Sequence, residues 1–440
     1  MKRILILYEN LGSGHKRVAD ILETMLADDK HQIISCAAGD LFNDQTIRLV
    51  QSLWTYFLQH NWITLTDTFI NFFLRLSVGP VAEVLQTGPY YKILEALAPD
   101  IIICTCDVFG KLLGAYARDK SIPFYMVITD VAVFADLANP YATHICYFSE
   151  TIQAIRSFDF NTIYFATHLN RETTFWNKLR YVIKMDYEYI LLAHRNSIFR
   201  NIDPLPQEQN QAACIAVGPI VAAKYYSASH PVGDTPKNKL AVRRKLGLEA
   251  ERPMLLLISG SMGGAYLNEM LRAFHDICQE HLTILVVCGK DKQSYRQVTA
   301  IKDNRANIEV RVFGFVENLE ELYAAADVVL ARPSAGVFLE SMVTRRPLII
   351  PAKAAANDRG TVELVRRYRL GQVYYQRDDV PHLFSVINRD YQQYIDNIET
   401  FLAPYPATFS DLTEVMQAII LPGKESATRD EFRSRTKLPG

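Results

Sequence analysis

A histidine follows a Gly-Ser-Gly turn at the end of the first apolar run of the chain. Residues 9–19 read ENLGSGHKRVA and come directly after the strand-like run RILILY. A helix predicted to begin near His15 would hold a neutral imidazole at its start, where it could act as a general base. A capping or surface histidine is an equally good interpretation of the spacing alone. The turn residues, which can bring the backbone close to a ligand, are Gly12, Ser13 and Gly14.

A second turn of small residues lies between a strand-like run and a helix-like run in the second half, LLLISGSMGGAYLNEML (255–271). Successive backbone N–H groups in such a turn can bind phosphate oxygens, and this interpretation is preferred to an ordinary tight turn. No Lys-Ser/Thr pair follows, so the turn is not a P-loop, and the first turn lacks the third glycine of a dinucleotide fingerprint. The candidate anion-binding residues are Gly260, Ser261, Gly263 and Gly264.

Polar and aromatic residues follow three later apolar runs. Phe315 follows a strand-like run that ends at Gly314, where backbone could pair with the edge of a base. Glu340 lies on a helix opened by the loop RPSAG, and its carboxylate could accept hydrogen bonds from both hydroxyls of a ribose; a solvated helix charge is the alternative. The remaining candidates, which line these loops or suit sugar hydroxyls, are Val316, Arg332, Ser334, Ala335, Gly336, Asn357 and Asp358.

These loops are positioned by a repeated pattern of short, continuous apolar runs that alternate with helix-length amphipathic segments. Such runs are typical of parallel strands buried on both faces. The pattern occurs once in each half of the chain and predicts an α/β fold of two tandem, doubly wound, Rossmann-like domains that face each other across a cleft. The strand-like runs lie at 3–8, 32–38, 100–106, 123–130, 144–149, 254–260, 282–289, 308–314, 327–331 and 347–352.

The pattern also suggests where the domains begin and end. The Ser-, Pro-, Gly- and Asp-rich stretch SASHPVGDTPKNK (227–239) is typical of a linker, and AVRRKLGL after it predicts a short helix. The predicted units are a first Rossmann-like domain at 1–226, a linker at 227–250, a second Rossmann-like domain at 251–380, helices at 381–422 and a polar, disordered tail at 423–440.

Composition excludes several classes of protein. Among 440 residues, 49% are hydrophobic and the net charge is −1, which fits a large soluble core and gives no general attraction to nucleic acid. Seven scattered cysteines show no zinc-ligand spacing and indicate buried thiols in a reducing cytosol. The first apolar run is too short for a signal peptide, and no stretch approaches the roughly 20 apolar residues of a membrane-spanning helix.

The ordered set of motifs resembles the two-domain glycosyltransferases of family 28. The first half is most similar to monogalactosyldiacylglycerol synthases and bacterial diacylglycerol glucosyltransferases, whose Gly-x-Gly-His-x-x-Ala pattern matches GSGHKRVADIL. The loop SGSMGGAYLN (259–268) is more similar to the loop of the lipid II N-acetylglucosaminyltransferase. Further segments that follow the family's order are DLF (40–42), LAPDIIICT (97–105) and ITD (128–130), so that the resemblance covers about 1–150 and 212–375.

The resemblance implies an inverting transfer of a hexose from a UDP-sugar to a lipid hydroxyl, with diacylglycerol preferred, and with no cofactor or metal. Gly263 and its neighbours would hold the diphosphate, Phe315 the uracil and Glu340 the ribose. The family's Gln-Glu pair against the donor sugar would be replaced by Asn-Asp. His15 would be the base, and Asp130, after the fourth predicted strand, would orient it or take the proton itself. The expected location is the cytoplasmic face of a membrane.

The chain departs from the family pattern on the acceptor side. Phe134 and Leu137 occupy the places of a histidine and a tryptophan, and Val337 replaces a threonine. An apparent insertion lies near 165–200. These departures keep two alternatives open. The acceptor could be a prenyl-linked lipid or a soluble alcohol, or the protein could be a catalytically silent relative that binds a nucleotide-sugar or a lipid.

Two segments could contact a membrane. The aromatic-rich stretch 49–79 could insert shallowly at a lipid interface, and KNKLAVRRK (237–245) could meet anionic headgroups. A core-facing helix pair and a solvated linker face are the respective alternatives. With the resemblance taken into account, membrane docking is slightly favoured.

Overall fold

The computed structural model describes most of the chain. The described residues are 1–10, 14–42, 87–106, 109–160, 199–202, 207–229, 236–259, 265–301 and 307–421, with isolated positions at 49–68, 176 and 180. Several predictions therefore fall outside the described residues, namely those on Gly12, Ser13, Gly260, Ser261, Gly263, Gly264, most of the aromatic stretch, nearly all of the insertion and the tail at 423–440.

The first sheet has six parallel strands in the order β2-β1-β3-β4-β6-β8. Its strands are β1 (Lys2–Tyr8), β2 (His31–Ala37), β3 (Ile101–Cys104), β4 (Phe124–Val127), β6 (Thr143–Cys146) and β8 (Ala213–Ala216). A separate two-stranded antiparallel ribbon pairs β5 (Val133–Phe134) with β7 (Phe199–Arg200). Strand order reverses beside β1, so a crevice is expected at the carboxyl ends of β1 and β3.

The second sheet has six parallel strands in the order β11-β10-β9-β12-β13-β14. Its strands are β9 (Met254–Ile258), β10 (Leu282–Val287), β11 (Ile308–Phe313), β12 (Val328–Ala331), β13 (Leu348–Pro351) and β14 (Gly371–Tyr374). This is the order of a doubly wound nucleotide-binding fold, and its topological switch point lies between β9 and β12. The prediction of two such sheets is confirmed, although β8 and β14 were not predicted.

Helices flank both sheets. In the first half they are α1 (Gly14–Leu26), α2 (Ala38–Leu41), α3 (Ile63–Leu65), α4 (Thr87–Leu97), α5 (Gly110–Lys120), α6 (Ser149–Arg156), α7 (Ala223–Ser229) and α8 (Pro236–Lys245). In the second half they are α9 (Ala265–Ile277), α10 (Lys292–Ile301), α11 (Leu319–Ala325), α12 (Ala335–Val343), α13 (Arg359–Arg367), α14 (Val380–Arg389), α15 (Tyr391–Leu402) and α16 (Phe409–Ile420). Short 3₁₀ turns lie at Ala135–Leu137, Ala356–Asp358 and Arg377–Asp379.

We call the first sheet with its flanking helices the first domain, and the second sheet with its flanking helices the second domain. The last helix, α16, packs against the first domain. The hydroxyl of Tyr125 on β4 donates to the carbonyl of Ile419 at 2.8 Å, and Gln417 donates to the carbonyl of Met25 at 2.7 Å. The last helix α16 therefore covers α1. One apolar cluster contains buried residues from both domains and from α16.

Two cations of the basic segment 237–245, Lys239 and Arg243, are paired with the second domain rather than solvated. It belongs to α8, where the guanidinium of Arg243 is buried and pairs with Asp327 at 2.8 Å, while Lys239 pairs with the same carboxylate. Lys245 contacts Glu321 on α11 at 2.6 Å. The buried guanidinium of Arg243 requires such a partner because an unpaired buried charge is costly. Lys239 and Arg243 are therefore not free to meet anionic headgroups, whereas contact of the exposed Arg244 and Lys245 with a membrane stays a prediction.

Candidate active site

His15 lies at the carboxyl edge of the first sheet, in the first turn of α1. Its side chain is buried, and its Nδ1 lies 2.6 Å from the carbonyl oxygen of Thr105, just after β3. A carbonyl can only accept a hydrogen bond, so Nδ1 carries a proton and, in the neutral ring, Nε2 carries the lone pair. This tautomer is the one that a general base requires. The alternative of a surface histidine is wrong because the ring is 9% exposed.

Two threonines that the sequence did not single out hold this histidine in place. The hydroxyl of Thr129, after β4, lies 3.2 Å from Nδ1 of His15. The hydroxyl of Thr105 donates to the main-chain carbonyl of His15 at 3.3 Å. Both residues are buried at strand ends. Their positions after apolar runs were a usable signal, but nothing local indicated which residue would contact the ring.

Asp130 lies directly after Thr129 and is half-buried. Burial and, secondarily, the negative charge of Asp130 raise the pKa of Tyr147. The ring orientation of His15 is set at Nδ1 by Thr105, so Asp130 is not needed for that hydrogen bond. Its assignment as a proton acceptor stays a prediction.

Glu340 is buried on α12, at the side of the second domain that meets α1. Its Oε2 accepts a hydrogen bond from the hydroxyl of Tyr323 at 3.0 Å, and its Oε1 lies 3.0 Å from Nη1 of Arg17 in the first domain. Burial raises the pKa of Glu340, an effect opposed by the charge of Arg17 and by hydrogen bonds from Tyr323 and Tyr225. The alternative of a solvated helix charge is wrong, since Glu340 is 5% exposed.

The predicted base-binding residues lie at the end of β11. Phe315 is 61% exposed, and the Lys290 ammonium lies 5.0 Å from its ring centroid. A Cβ added at Gly314 would lie 3.9 Å from the Gly289 carbonyl oxygen and 4.0 Å from Cδ2 of Tyr295, so this stretch of backbone is not tightly covered. Val316, next in the chain, is half-buried. An exposed ring beside backbone at a strand end is suited to stacking on a planar base.

The loop after β12 leads into the amino terminus of α12. Arg332 is half-buried there, and its charge acts on the buried hydroxyls of Tyr266 and Tyr374. Ser334 is the N-cap residue, and its hydroxyl makes no capping hydrogen bond to the helix. Ala335 and Gly336 form the first turn. A cation beside a helix N-terminus is a favourable environment for phosphate oxygens.

The loop that carries Asn357 and Asp358 touches the first domain. A Cβ on Gly360 would lie 2.6 Å from the backbone nitrogen of Ala132 and 2.8 Å from Cβ of Val131, so only glycine fits this approach. Because Val131 follows Asp130, the structure brings the loops of the predicted donor-sugar residues and of Asp130 together. Asp358 is buried, and within the described residues the buried Oδ1 of Asn357 has no hydrogen-bond partner.

The described residues contain no cluster of three or more His, Cys, Asp or Glu side chains that could hold a metal ion. They also contain no helix that is long and apolar enough to cross a membrane. Few positions of the aromatic stretch are described. Among them, Tyr56 and Trp62 each expose nearly half of their surface, and their ring centroids lie 5.9 Å apart.

The apolar departures from the family pattern are buried. Phe134 lies on β5 and packs against Phe199 of β7, with ring centroids 5.1 Å apart. Leu137 is buried three residues later, and Val337 is buried on α12. Apolar packing therefore occupies the places where polar or larger groups were expected.

Part of the second half of the chain matches a known family of domains. Residues 254–363 match the model of the glycosyltransferase family 28 C-terminal domain. A probable chloroplastic monogalactosyldiacylglycerol synthase of Nicotiana tabacum is 28% identical over 133 residues, which are 29% of this chain and 24% of the relative. The UDP-N-acetylglucosamine–N-acetylmuramyl-(pentapeptide) pyrophosphoryl-undecaprenol N-acetylglucosamine transferase of Lachnoclostridium phytofermentans is 29% identical over 121 residues, 27% of this chain and 32% of the relative.

Solved structures extend the likeness to the whole fold. MurG of Acinetobacter baumannii aligns with 95% of this chain and 100% of its own at a TM-score of 0.57 and 14% identity. A glycosyltransferase of Rickettsia africae aligns with 96% of this chain and 99% of its own at a TM-score of 0.51 and 11% identity. The predicted GT-B arrangement is thereby confirmed. The chain spans only about a quarter to a third of the length of the sequence relatives named above.

Proposed function

We propose that this protein is an inverting glycosyltransferase that moves a hexose from a UDP-sugar to a lipid hydroxyl, with diacylglycerol as the first acceptor to test. The observation that carries the proposal is a pair of buried groups on facing domains: His15, with its lone pair on Nε2, and Glu340, joined to the His15 helix through Arg17. The family 28 match over 254–363 supports the donor half of the assignment.

On the donor side, each group suits one part of a UDP-sugar. The exposed ring of Phe315 would stack against uracil, and Glu340 would accept the ribose hydroxyls. Arg332 and the amino terminus of α12 would stabilise the negative charge that grows on the departing UDP. Asn357 and Asp358 would hydrogen-bond the sugar. Within the described residues Oδ1 of Asn357 has no hydrogen-bond partner, so it could accept a hydrogen bond from a sugar hydroxyl.

On the acceptor side, the chemistry requires a base because an alcohol is a weak nucleophile. Nε2 of His15 would take the proton as the acceptor oxygen bonds to the anomeric carbon and the bond to UDP breaks. Direct displacement of this kind inverts the anomeric centre. The Thr105 carbonyl would stabilise the resulting imidazolium, because it accepts a hydrogen bond from Nδ1–H in both the neutral and the charged ring. The proposed lipid acceptor requires contact with a membrane surface, on the cytoplasmic face expected from the sequence.

A second candidate differs only in the acceptor. The buried Phe134 and Leu137 replace the family's polar and aromatic residues, which favours an acceptor other than diacylglycerol. The likeness to the undecaprenol-dependent transferase makes a prenyl-linked lipid the leading alternative. A soluble alcohol and a silent nucleotide-sugar-binding relative remain further outcomes of the same experiment.

The test is a transfer assay with labelled UDP-glucose, UDP-galactose or UDP-N-acetylglucosamine. Liposomes with diacylglycerol or with a prenyl-linked lipid serve as acceptors, and the label in the organic phase is counted. Label that depends on His15 supports the proposal and identifies the sugar and the acceptor. If the protein binds UDP but transfers sugar neither to a lipid nor to a soluble alcohol, the result would favour a catalytically silent, nucleotide-sugar-binding relative. Absence of both would contradict the proposed function.

Glu340→Gln is expected to weaken UDP binding about 10–100-fold, because hydrogen bonds to a charged acceptor contribute about 1.5–3 kcal/mol. The amide keeps the size of the side chain but loses the charge and one acceptor oxygen. Isothermal titration calorimetry with UDP measures the effect. Glu399→Gln, at an exposed position on α15, is the matched control and is expected to bind UDP normally. Equal affinity of both variants would remove Glu340 from the ribose site.

A further inference from the structure

Arg17 joins the two domains at the candidate site. Its guanidinium lies 3.0 Å from Oε1 of Glu340, and the two residues are 323 positions apart in the chain. The Arg17 side chain is 56% exposed, whereas the Glu340 side chain is 7% exposed. The pair therefore lies at the rim of the interface, with the carboxylate on the inside. No motif in the sequence indicated this contact.

Glu340 does not depend on Arg17 alone for hydrogen bonds. The hydroxyl of Tyr323 donates to Oε2 at 3.0 Å. Each carboxylate oxygen can accept about two hydrogen bonds, so ribose hydroxyls can share Oε1 with the guanidinium. Arg17 therefore contacts the same carboxylate oxygen that a bound ribose would use. In the absence of Arg17, the buried carboxylate would still accept a hydrogen bond from Tyr323.

Arg17 also lies on the same helical turn as His15. The two residues are about 3 Å apart along the axis and about 200° apart around it. His15 accordingly faces the Thr105 carbonyl in the core, and Arg17 faces the second domain. Val18, Ala19 and Leu22 anchor α1 on the first sheet. A displacement of Arg17 would therefore move the same helical turn that carries His15.

We propose that Arg17 is a positioning residue that couples occupancy of the nucleotide site at Glu340 to the placement of His15. The inference rests on the proposed function and deepens it. A nucleotide bound at Glu340 would fix the ion pair, and the ion pair would fix the first turn of α1 against the second domain. The histidine then meets the anomeric carbon at a constant distance.

Three variants test the coupling. Arg17→Ala is expected to lower kcat about 100-fold, the scale of a small misplacement of reacting groups, with little change in UDP affinity. Arg17→Lys keeps the charge but loses the planar fork and is expected to recover part of the loss. Lys16→Ala is the matched control, because Lys16 is an exposed cation on the same turn that pairs with Asp20 at 2.7 Å. It is expected to retain wild-type kcat.

A second readout does not depend on turnover. Hydrogen exchange of the α1 amides is measured with and without UDP, while calorimetry confirms UDP binding. UDP is expected to slow exchange in α1 of the wild type and of Lys16→Ala, but not of Arg17→Ala. Two outcomes would overturn the coupling but not the proposed function. In the first, UDP binds Arg17→Ala and slows exchange in its α1 as much as in the wild type; in the second, UDP binds the wild type without slowing exchange in α1. Failure of the wild type to bind UDP would overturn the coupling together with the proposed function.

Discussion

His15→Ala is expected to lower the rate of sugar transfer about 10²–10⁴-fold, the usual contribution of a general base. The variant removes the lone pair that the Thr105 hydrogen bond assigns to Nε2. Binding of UDP should be retained, because the predicted nucleotide contacts lie in the second domain. Single-turnover transfer measures the first effect, and calorimetry with UDP measures the second.

Two further variants separate a base from a structural histidine. His15→Gln keeps a polar side chain of similar length but provides no basic nitrogen, so it should be as slow as the alanine variant. His281→Ala, at an exposed position at the amino end of β10, should transfer sugar at the wild-type rate. Substantial activity in His15→Gln would show that His15 acts only through packing and would leave Asp130 as the proposed base.

Asp327→Ala is expected to lower the free energy of unfolding by about 3–5 kcal/mol, the cost of breaking a buried ion pair on one side. Asp327 accepts hydrogen bonds from Arg243 at 2.8 Å and from the Met254 amide at 2.7 Å, and it also pairs with Lys239. The Arg243 side chain is 4% exposed, so its charge would remain buried without a carboxylate. These contacts attach α8 to the start of β9.

Urea denaturation followed by circular dichroism measures this loss. Tryptophan fluorescence is unsuitable because all three tryptophans, Trp54, Trp62 and Trp176, precede the second domain. Asp276→Ala, at an exposed position on α9, is the control and should unfold at the wild-type urea concentration. An unchanged midpoint in Asp327→Ala would show that the ion pair contributes nothing net to stability.

The pH dependence of this contribution has a defined sign. Burial alone would raise the pKa of Asp327, but the charges of Lys239 and Arg243 outweigh it and lower the pKa. A carboxyl whose folded pKa lies below its unfolded value stabilises the fold above the unfolded pKa and loses that stabilisation as pH falls through the folded pKa. The stability difference between wild type and Asp327→Ala should therefore shrink in acid, below the ordinary pKa of aspartate.

The sequence alone determined the two sheets and the edge at which the site lies. Continuous apolar runs such as ILIL in β1 and LLLI in β9 can only be buried on both faces, and such burial requires parallel strands covered by helices. The carboxyl ends of parallel strands share one edge, so His15 and Glu340 could be assigned to facing edges without coordinates. The edge strand β14 was missed because GQVY lacks the apolar signal of a central strand.

The partners of each functional side chain were decided only by the tertiary structure. The Thr105 carbonyl that selects the His15 tautomer is 90 residues away, and Arg17 lies 323 residues from the carboxylate that it contacts. Two cations of α8 that the sequence offered as solvated or membrane-facing, Lys239 and Arg243, pair with Asp327. Hydrophobic periodicity records which face of an element is buried, but not which element covers it. Hydrogen bonds and ion pairs depend on which element covers that face, and this is determined by the packing of the whole chain.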